Sequence, residues 1–284
     1  MLKLGQINAL FEMHNYSNLF LIANTDCHRT AYLDKAVSAI ISKICHHYQN
    51  SASTSSIQRY KPVNIMIIIM GGGYDTRSFK MIEHNLVNSV NPPPLLQRRR
   101  KWRWVKLFKR RRQQQPNPLD NLPPSKQYNL QCYELDLPQV VQTKRRLIQS
   151  RLSRRRPWFS TVNESVNTPS FFEVDFNNLN QTKKVLKNIV SSNETHPTAN
   201  IILFEGVMIY LDKGVPHALL EVCSEVLQTS GSDNNYLCFA DRLDNIPGGD
   251  EELARVEMNN TGWELVDWLS KPGLARHMGV ASLK

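Results

Sequence analysis

Glu134 and Asp136, in the segment YELD, stand two positions apart, so on an extended strand their carboxylates face the same side. A carboxylate at a strand end can accept both hydroxyls of an adenosine ribose, the task an acid performs in dinucleotide folds; the bland alternative is a solvated pair. Asp175, in EVDF, is placed to accept an adenine amino group, with Phe176 beside it to pack on the ring. An Asp before Asn-Asn equally suits a turn. Glu205 lies inside the apolar stretch NIILFEGVMIY, where an unpaired carboxylate is expensive. Its partner is either the ammonium of a methionine moiety or an arginine of the chain. Arg29 can grip a carboxylate with two hydrogen bonds, a geometry lysine lacks.

These side chains need a seat, and Asn64 to Phe79 (NIMIIIMGGGYDTRSF) supplies one. The unbroken apolar run from Ile65 to Ile69 reads as a strand buried on both faces of a parallel sheet. Gly71, Gly72 and Gly73 then allow positive φ, and without Cβ atoms they let a ligand lie against the main chain. Asp75 follows within the same turn. Open α/β sheets bind ligands at the carboxyl ends of their strands, so this turn is a cofactor seat; the alternative is a tight turn with no ligand. The pattern is not G-x-G-x-x-G, and no P-loop lysine follows.

The elements that position these groups alternate along the chain. Apolar residues at Tyr32, Leu33, Ala36, Val37, Ile40, Ile41 and Ile44 form one stripe of a helix over Arg29 to Tyr48, placing Arg29 just ahead of it. Leu2 to Phe20 is expected to form a helix or lid. Further strands are read at Asn129 to Leu137, Ser170 to Phe176, Asn200 to Glu205 (running into a turn through Tyr210) and Asn235 to Asp241, with helices between them. Gly262 to Leu269 and Arg276 to Leu283 flank a Ser-Lys-Pro-Gly turn and form an antiparallel hairpin. The expected fold is α/β: a Rossmann-like, seven-stranded, mostly parallel sheet with helices on both faces and a C-terminal antiparallel hairpin. Residues 1–284 read as a single domain with basic low-complexity insertions at about 88–127 and 151–169.

Net charge is +10, and Arg98 to Arg112 alone carries ten Lys or Arg with no acid. The rest of the chain is therefore near neutral, and the fold is not a basic binding surface. Trp102, Trp104 and Phe108 among those cations leave a weak nucleic-acid or acidic-surface contact open for that segment alone. No apolar run is long enough for a membrane span. The amino-terminal stretch lacks a signal-peptide pattern, and the five cysteines are scattered without CxxC spacing, so reduced thiols in the cytoplasm and no structural metal are expected.

Taken in order, GGGYDTR, YELD, EVDF and EGVMIYL resemble the leucine carboxyl methyltransferase family, among the class I S-adenosylmethionine methyltransferases. Its members carry a signature like LGAGxDT, an FEVD-like second strand and an E-x-x-x-x-Y segment after strand four; here these read IMGGGYDT, YELD and Glu205 to Tyr210. The likeness runs over roughly residues 25 to 240, minus both insertions. It implies S-adenosyl-L-methionine as cofactor, with Arg29 on the methionine carboxylate, Gly71 and Gly73 admitting the cofactor, Asp136 on the ribose, Asp175 and Phe176 at the adenine, and Glu205 at the methionine end. Tyr210 would line the acceptor pocket. The implied acceptor is a carboxylate, of a protein C-terminus or a small molecule. An ionised carboxylate needs no general base, whereas a hydroxyl does, and His277, His217 and Asp241 are the candidates for that role. A small-molecule O-methyltransferase of the same fold is the alternative within the class; outside it stand a nucleic-acid-associated protein using the basic segment and an inactive relative.

Overall fold

The computed structural model describes residues 19–52, 62–73, 75–87, 128–149, 168–191, 198–243, 250–269 and 277–284. The expected lid at the amino terminus up to residue 18, both basic insertions up to residues 127 and 167, and the Ser270–Gly273 turn lie outside them. Helices are α1 (Leu19–Ala52), α2 (Arg77–Val87), α3 (Pro138–Leu147), α4 (Leu179–Ser191), α5 (Val215–Gln228) and α6 (Glu251–Asn260). Strands are β1 (Val63–Met70), β2 (Tyr128–Asp136), β3 (Ser170–Glu173), β4 (Thr198–Glu205), β5 (Asn234–Asp241), β6 (Trp263–Leu269) and β7 (His277–Leu283).

These seven strands form one sheet in the order β3-β2-β1-β4-β5-β7-β6. All neighbouring pairs from β3 to β5 are parallel, and β7 runs antiparallel to both β5 and β6. The expected hairpin is present, with β7 inserted between its partner β6 and the parallel half. The order reverses at β1/β4, which makes the carboxyl ends of those strands the crevice where such sheets take ligands.

β1 is buried along nearly its whole length because it is covered on both faces. Ile65, Ile67 and Ile69 join Leu33, Val37, Ile41 and Ile44 of α1 in one core layer. Met66, Ile68 and Met70 meet α4 and α5 through Leu186, Leu219 and Leu220 in the other. That two-sided packing is the reason the strand shows no alternation.

Two boundaries differ from the sequence reading. α1 begins at Leu19, so Arg29 lies within the helix and not ahead of it. No proline or glycine interrupts Leu19 to Ala52, and nothing stops the helix from extending past the start of its apolar stripe. β3 ends at Glu173, short of Asp175 and Phe176. Asp175 closes a turn there: its carboxylate accepts from Asn177 N (3.0 Å) and its carbonyl from Asn178 N (2.9 Å). The turn chemistry of Asp-Phe-Asn-Asn overrides the strand tendency of SFFEVDF.

Candidate functional site

The glycine turn leaves β1 at the middle of the sheet and is stitched to β2 on its way. Gly71 N donates to the Leu135 carbonyl (2.7 Å), Asp75 N closes back on the Gly72 carbonyl (2.8 Å), and Gly73 N donates to Asp136 Oδ2 (2.8 Å). Asp136 Oδ1 accepts from Leu137 N at 2.7 Å. The three glycines are required for different reasons. Gly71 has φ +72°, and a Cβ there would lie 2.2 Å from Val207 Cγ2. A Cβ on Gly72 would lie 2.7 Å from Glu134 Oε2. At Gly73 (φ +46°) the nearest atom to a Cβ among the described residues is the Gly71 carbonyl at 4.0 Å, so of the three glycines this one alone leaves room there beside the main chain. Close approach within the chain, more than access for a ligand, explains the first two.

Arg77, in the first turn of α2, is the hub that gathers the other strand ends. It is 1% exposed, with Nε 2.6 Å from Asp34 Oδ1 on α1, Nη2 2.6 Å from Glu205 Oε2 at the end of β4, and Nη1 3.2 Å from Asp75 Oδ2. Asp75 Oδ1 also accepts from Arg77 N at 2.8 Å, fixing the start of α2. Burial opposes the guanidinium charge, but the fields of Asp75, Glu205 and Asp34 outweigh it and raise the Arg77 pKa. Burial likewise raises the Asp34 pKa, against the pull of Arg77. Of the two partners offered by the sequence for Glu205, an arginine of the chain is therefore present. Its other oxygen accepts from Thr30 Oγ1 at 3.0 Å, which brings the segment around Arg29 to the end of β4.

Glu134 and Asp136 face the same side of β2 but meet different fates. Glu134 is 2% exposed, and its two oxygens accept from Ser78 Oγ of α2 and Lys144 Nζ of α3. Asp136 is half-buried beside Gly73. Asp175 is exposed on its turn, whereas Phe176 is buried in the core with Leu135, Val174 and Leu186. Tyr210 is 76% exposed in the short 3-10 turn Met208–Tyr210 after β4. The structure thus brings Gly71–Gly73, Asp75, Asp136 and Glu205 to one crevice with Thr30, and sets Asp175 and Tyr210 on the solvent side of the neighbouring strand ends.

The three candidate bases are engaged elsewhere. Asp241 is fully buried: Oδ2 accepts from Val207 N (2.5 Å) and Met208 N (2.9 Å), and Oδ1 from Arg242 N (2.9 Å). Burial raises its pKa, opposed by these peptide groups. It is a clamp on the turn that carries Tyr210. His217 on α5 contacts Glu257 (2.7 Å) and Glu221 (3.3 Å), and the bond to Glu257 raises its pKa. His277 is buried and stacks on Trp268 with 4.8 Å between centroids.

Asp34, Arg77, Lys144 and Thr30 were assigned no role from the sequence, although two left a trace. Asp34 shares the buried face of α1 with Val37 and Ile41, and Lys144 shares that of α3 with Val141. A charge on an apolar stripe has a buried partner more often than none.

Among the described residues no group of His, Cys, Asp or Glu is arranged to hold a metal ion, and no helix is long and apolar enough to cross a membrane. The basic segment 98–112 lies outside the described residues, and no comparison supports a nucleic-acid contact.

Residues 121–224 match the family model for leucine carboxyl methyltransferase, a span that holds Glu134, Asp136, Asp175, Glu205 and Tyr210. No curated protein matches the sequence significantly. Among solved structures, LepI in complex with SAM aligns at 10% identity and TM-score 0.37 over 81% of this chain and 45% of that one, so the chain spans under half of that protein's length. Magnesium protoporphyrin IX methyltransferase from Synechocystis PCC 6803 with bound SAH aligns at 11% identity and TM-score 0.38, covering 94% and 97% of the two chains. An antibiotic related methyltransferase aligns at 13% and 0.36, covering 81% and 96%. The matched span takes in YELD, EVDF and EGVMIYL, three of the motifs on which the resemblance rests, while GGGYDTR and Arg29 lie outside it.

Proposed function

We propose that this protein is an S-adenosyl-L-methionine-dependent O-methyltransferase of the leucine carboxyl methyltransferase type, with a carboxylate, such as that of a protein C-terminal leucine, as acceptor. One observation carries the reading: Asp34, Asp75 and Glu205 share the single guanidinium of Arg77 at the crevice, and Asp136 adds a carboxylate held by two peptide N–H groups. Surplus negative charge at the ends of β1, β2 and β4 suits a cationic nucleoside. The match over residues 121–224 supports the same conclusion.

When bound, the cofactor supplies a methyl group made electrophilic by its sulfonium. The chain's own residues then have to bind, orient and exclude water. Asp136 beside Gly73 would take the ribose hydroxyls and Asp175 the adenine amino group, with the buried Phe176 supporting the apolar floor on that side. Glu205 takes the ammonium and Arg29 the carboxylate of the methionine end, with Gly71 and Asp75 shaping the wall between them. Tyr210 lines the acceptor side. The state of His217, His277 and Asp241 favours an acceptor that is already ionised, since none of these is presented as a base.

Transfer of a tritiated methyl group from S-adenosylmethionine to a peptide ending in leucine tests this, with the C-terminal amide as control. Label on the acid and none on the amide is expected. Equal labelling of both, or transfer to hydroxyl acceptors alone, would overturn the carboxylate assignment.

A further inference from the structure

Beneath the glycine turn lies a buried ion pair that the cofactor reading leaves without a task. Lys144 is 5% exposed, and its ammonium has three donors and three acceptors: Glu134 Oε2, the Asp75 carbonyl (2.7 Å) and the Gly72 carbonyl (3.5 Å). The ring of Phe171 on β3 lies 5.8 Å from the same nitrogen. Glu134 is held on its other oxygen by Ser78, so α2, β2 and α3 meet in one network under the turn. Gly72 makes this possible, because a Cβ there would collide with Glu134 Oε2 at 2.7 Å.

We propose that Glu134 and Lys144 are positioning residues, a strut that holds the carbonyls of Gly72 and Asp75 in place, and that Glu134 is therefore not a contact of the ribose. The first half stands on the geometry; the second rests on the cofactor reading above. A buried ion pair is a poor way to gain stability, since an apolar pair of the same volume is commonly as good or better. What an apolar pair cannot do is grip two peptide carbonyls on opposite sides of a turn. The ammonium orients those peptide planes, while the carboxylate keeps the ammonium aimed. Both acids have both oxygens engaged, but Glu134 is enclosed and has no face left for two hydroxyls, whereas Asp136 is half-buried beside Gly73.

Two measurements separate these statements. In the ligand-free protein, the amides of Gly72, Gly73 and Asp75 should exchange with solvent about tenfold faster in the double variant Lys144→Met/Glu134→Gln, with the amides of β1 and β4 unchanged. The double variant leaves no lone buried charge, so it is expected to fold even where Lys144→Met alone does not. Unchanged exchange at the turn overturns the strut. For the ribose, the ratio of affinities for S-adenosylhomocysteine and its 2′-deoxy counterpart is compared across variants. The preference for the 2′-hydroxyl should survive in Glu134→Gln and collapse in Asp136→Asn. Its collapse in Glu134→Gln makes Glu134 a ribose contact and overturns the second half. If the unaltered protein binds neither nucleoside, the cofactor reading falls, and the exchange result still decides the strut.

Discussion

Replacing Arg77 by methionine removes a cation shared by three carboxylates, and the structure says how the cost divides. The side chain of Asp34 is 8% exposed, that of Glu205 21% and that of Asp75 30%. Breaking a buried pair from one side costs about 3 to 5 kcal/mol, and a solvent-screened pair about 0 to 1 kcal/mol. Asp34 thus sets the scale, and the two more accessible acids add little. We expect a loss of about 4 kcal/mol at pH 7 for Arg77→Met, roughly a 10 °C fall in Tm if about 2–4 °C follows each kcal/mol. The deficit should shrink as pH falls below 7, because burial favours the protonated form of Asp34 and the opposing pull of Arg77 is gone. Urea unfolding followed by circular dichroism reads the change in midpoint at constant slope. Asp34→Asn in the Arg77→Met background should recover part of the loss. A loss under about 1 kcal/mol at pH 7 would show that Asp34 is solvated and that Arg77 does not tie α1 to the strand ends.

Three further outcomes follow from other contacts. Gly71→Ala should cost about 2 to 5 kcal/mol in urea unfolding, from the positive φ and the clash with Val207; a loss below about 1 kcal/mol would mean the turn relaxes freely. His217 has a folded pKa raised above its unfolded value by Glu257, so its contribution is fully present below about pH 6.5 and is lost as pH rises through the folded value. The Tm gap between the parent and His217→Gln should therefore narrow from pH 6 to 8, and a widening gap would reverse the sign assigned. Arg29→Lys should weaken S-adenosylmethionine about tenfold while sparing adenosine, through loss of the two-point grip on the methionine carboxylate; equal losses for both ligands count against that role.

The parallel core and its glycine turn were legible because β1 is buried on both faces, and such a strand announces itself as an unbroken apolar run. The late hairpin was legible from its turn residues, though not the insertion of β7 beside β5, which is decided by pairing across the sheet. α1 was read short because Leu19 to His28 carries no stripe, and a helix held by its later turns needs none at its start. The spaced acids stand out in the sequence as groups that need partners, but the partners themselves do not. Asp34 and Arg77 are 43 residues apart, and Glu205 and Arg77 are 128 apart; only the fold brings them within bonding distance. Glu134 and Asp136 are equivalent by parity, and what separates them is Lys144 reaching up from α3, which no period reveals.

The claim on which the rest depends is that the crevice between β1, β2 and β4 binds a cationic adenosyl ligand. Calorimetric titration of the protein and of Glu205→Ala with S-adenosylmethionine tests it most directly. One site per chain is expected in the parent, and a loss of roughly 10- to 100-fold in Glu205→Ala with its unfolding midpoint retained, as befits a charged hydrogen bond to the ligand. No binding to the parent, or equal affinity in both proteins, would contradict the account.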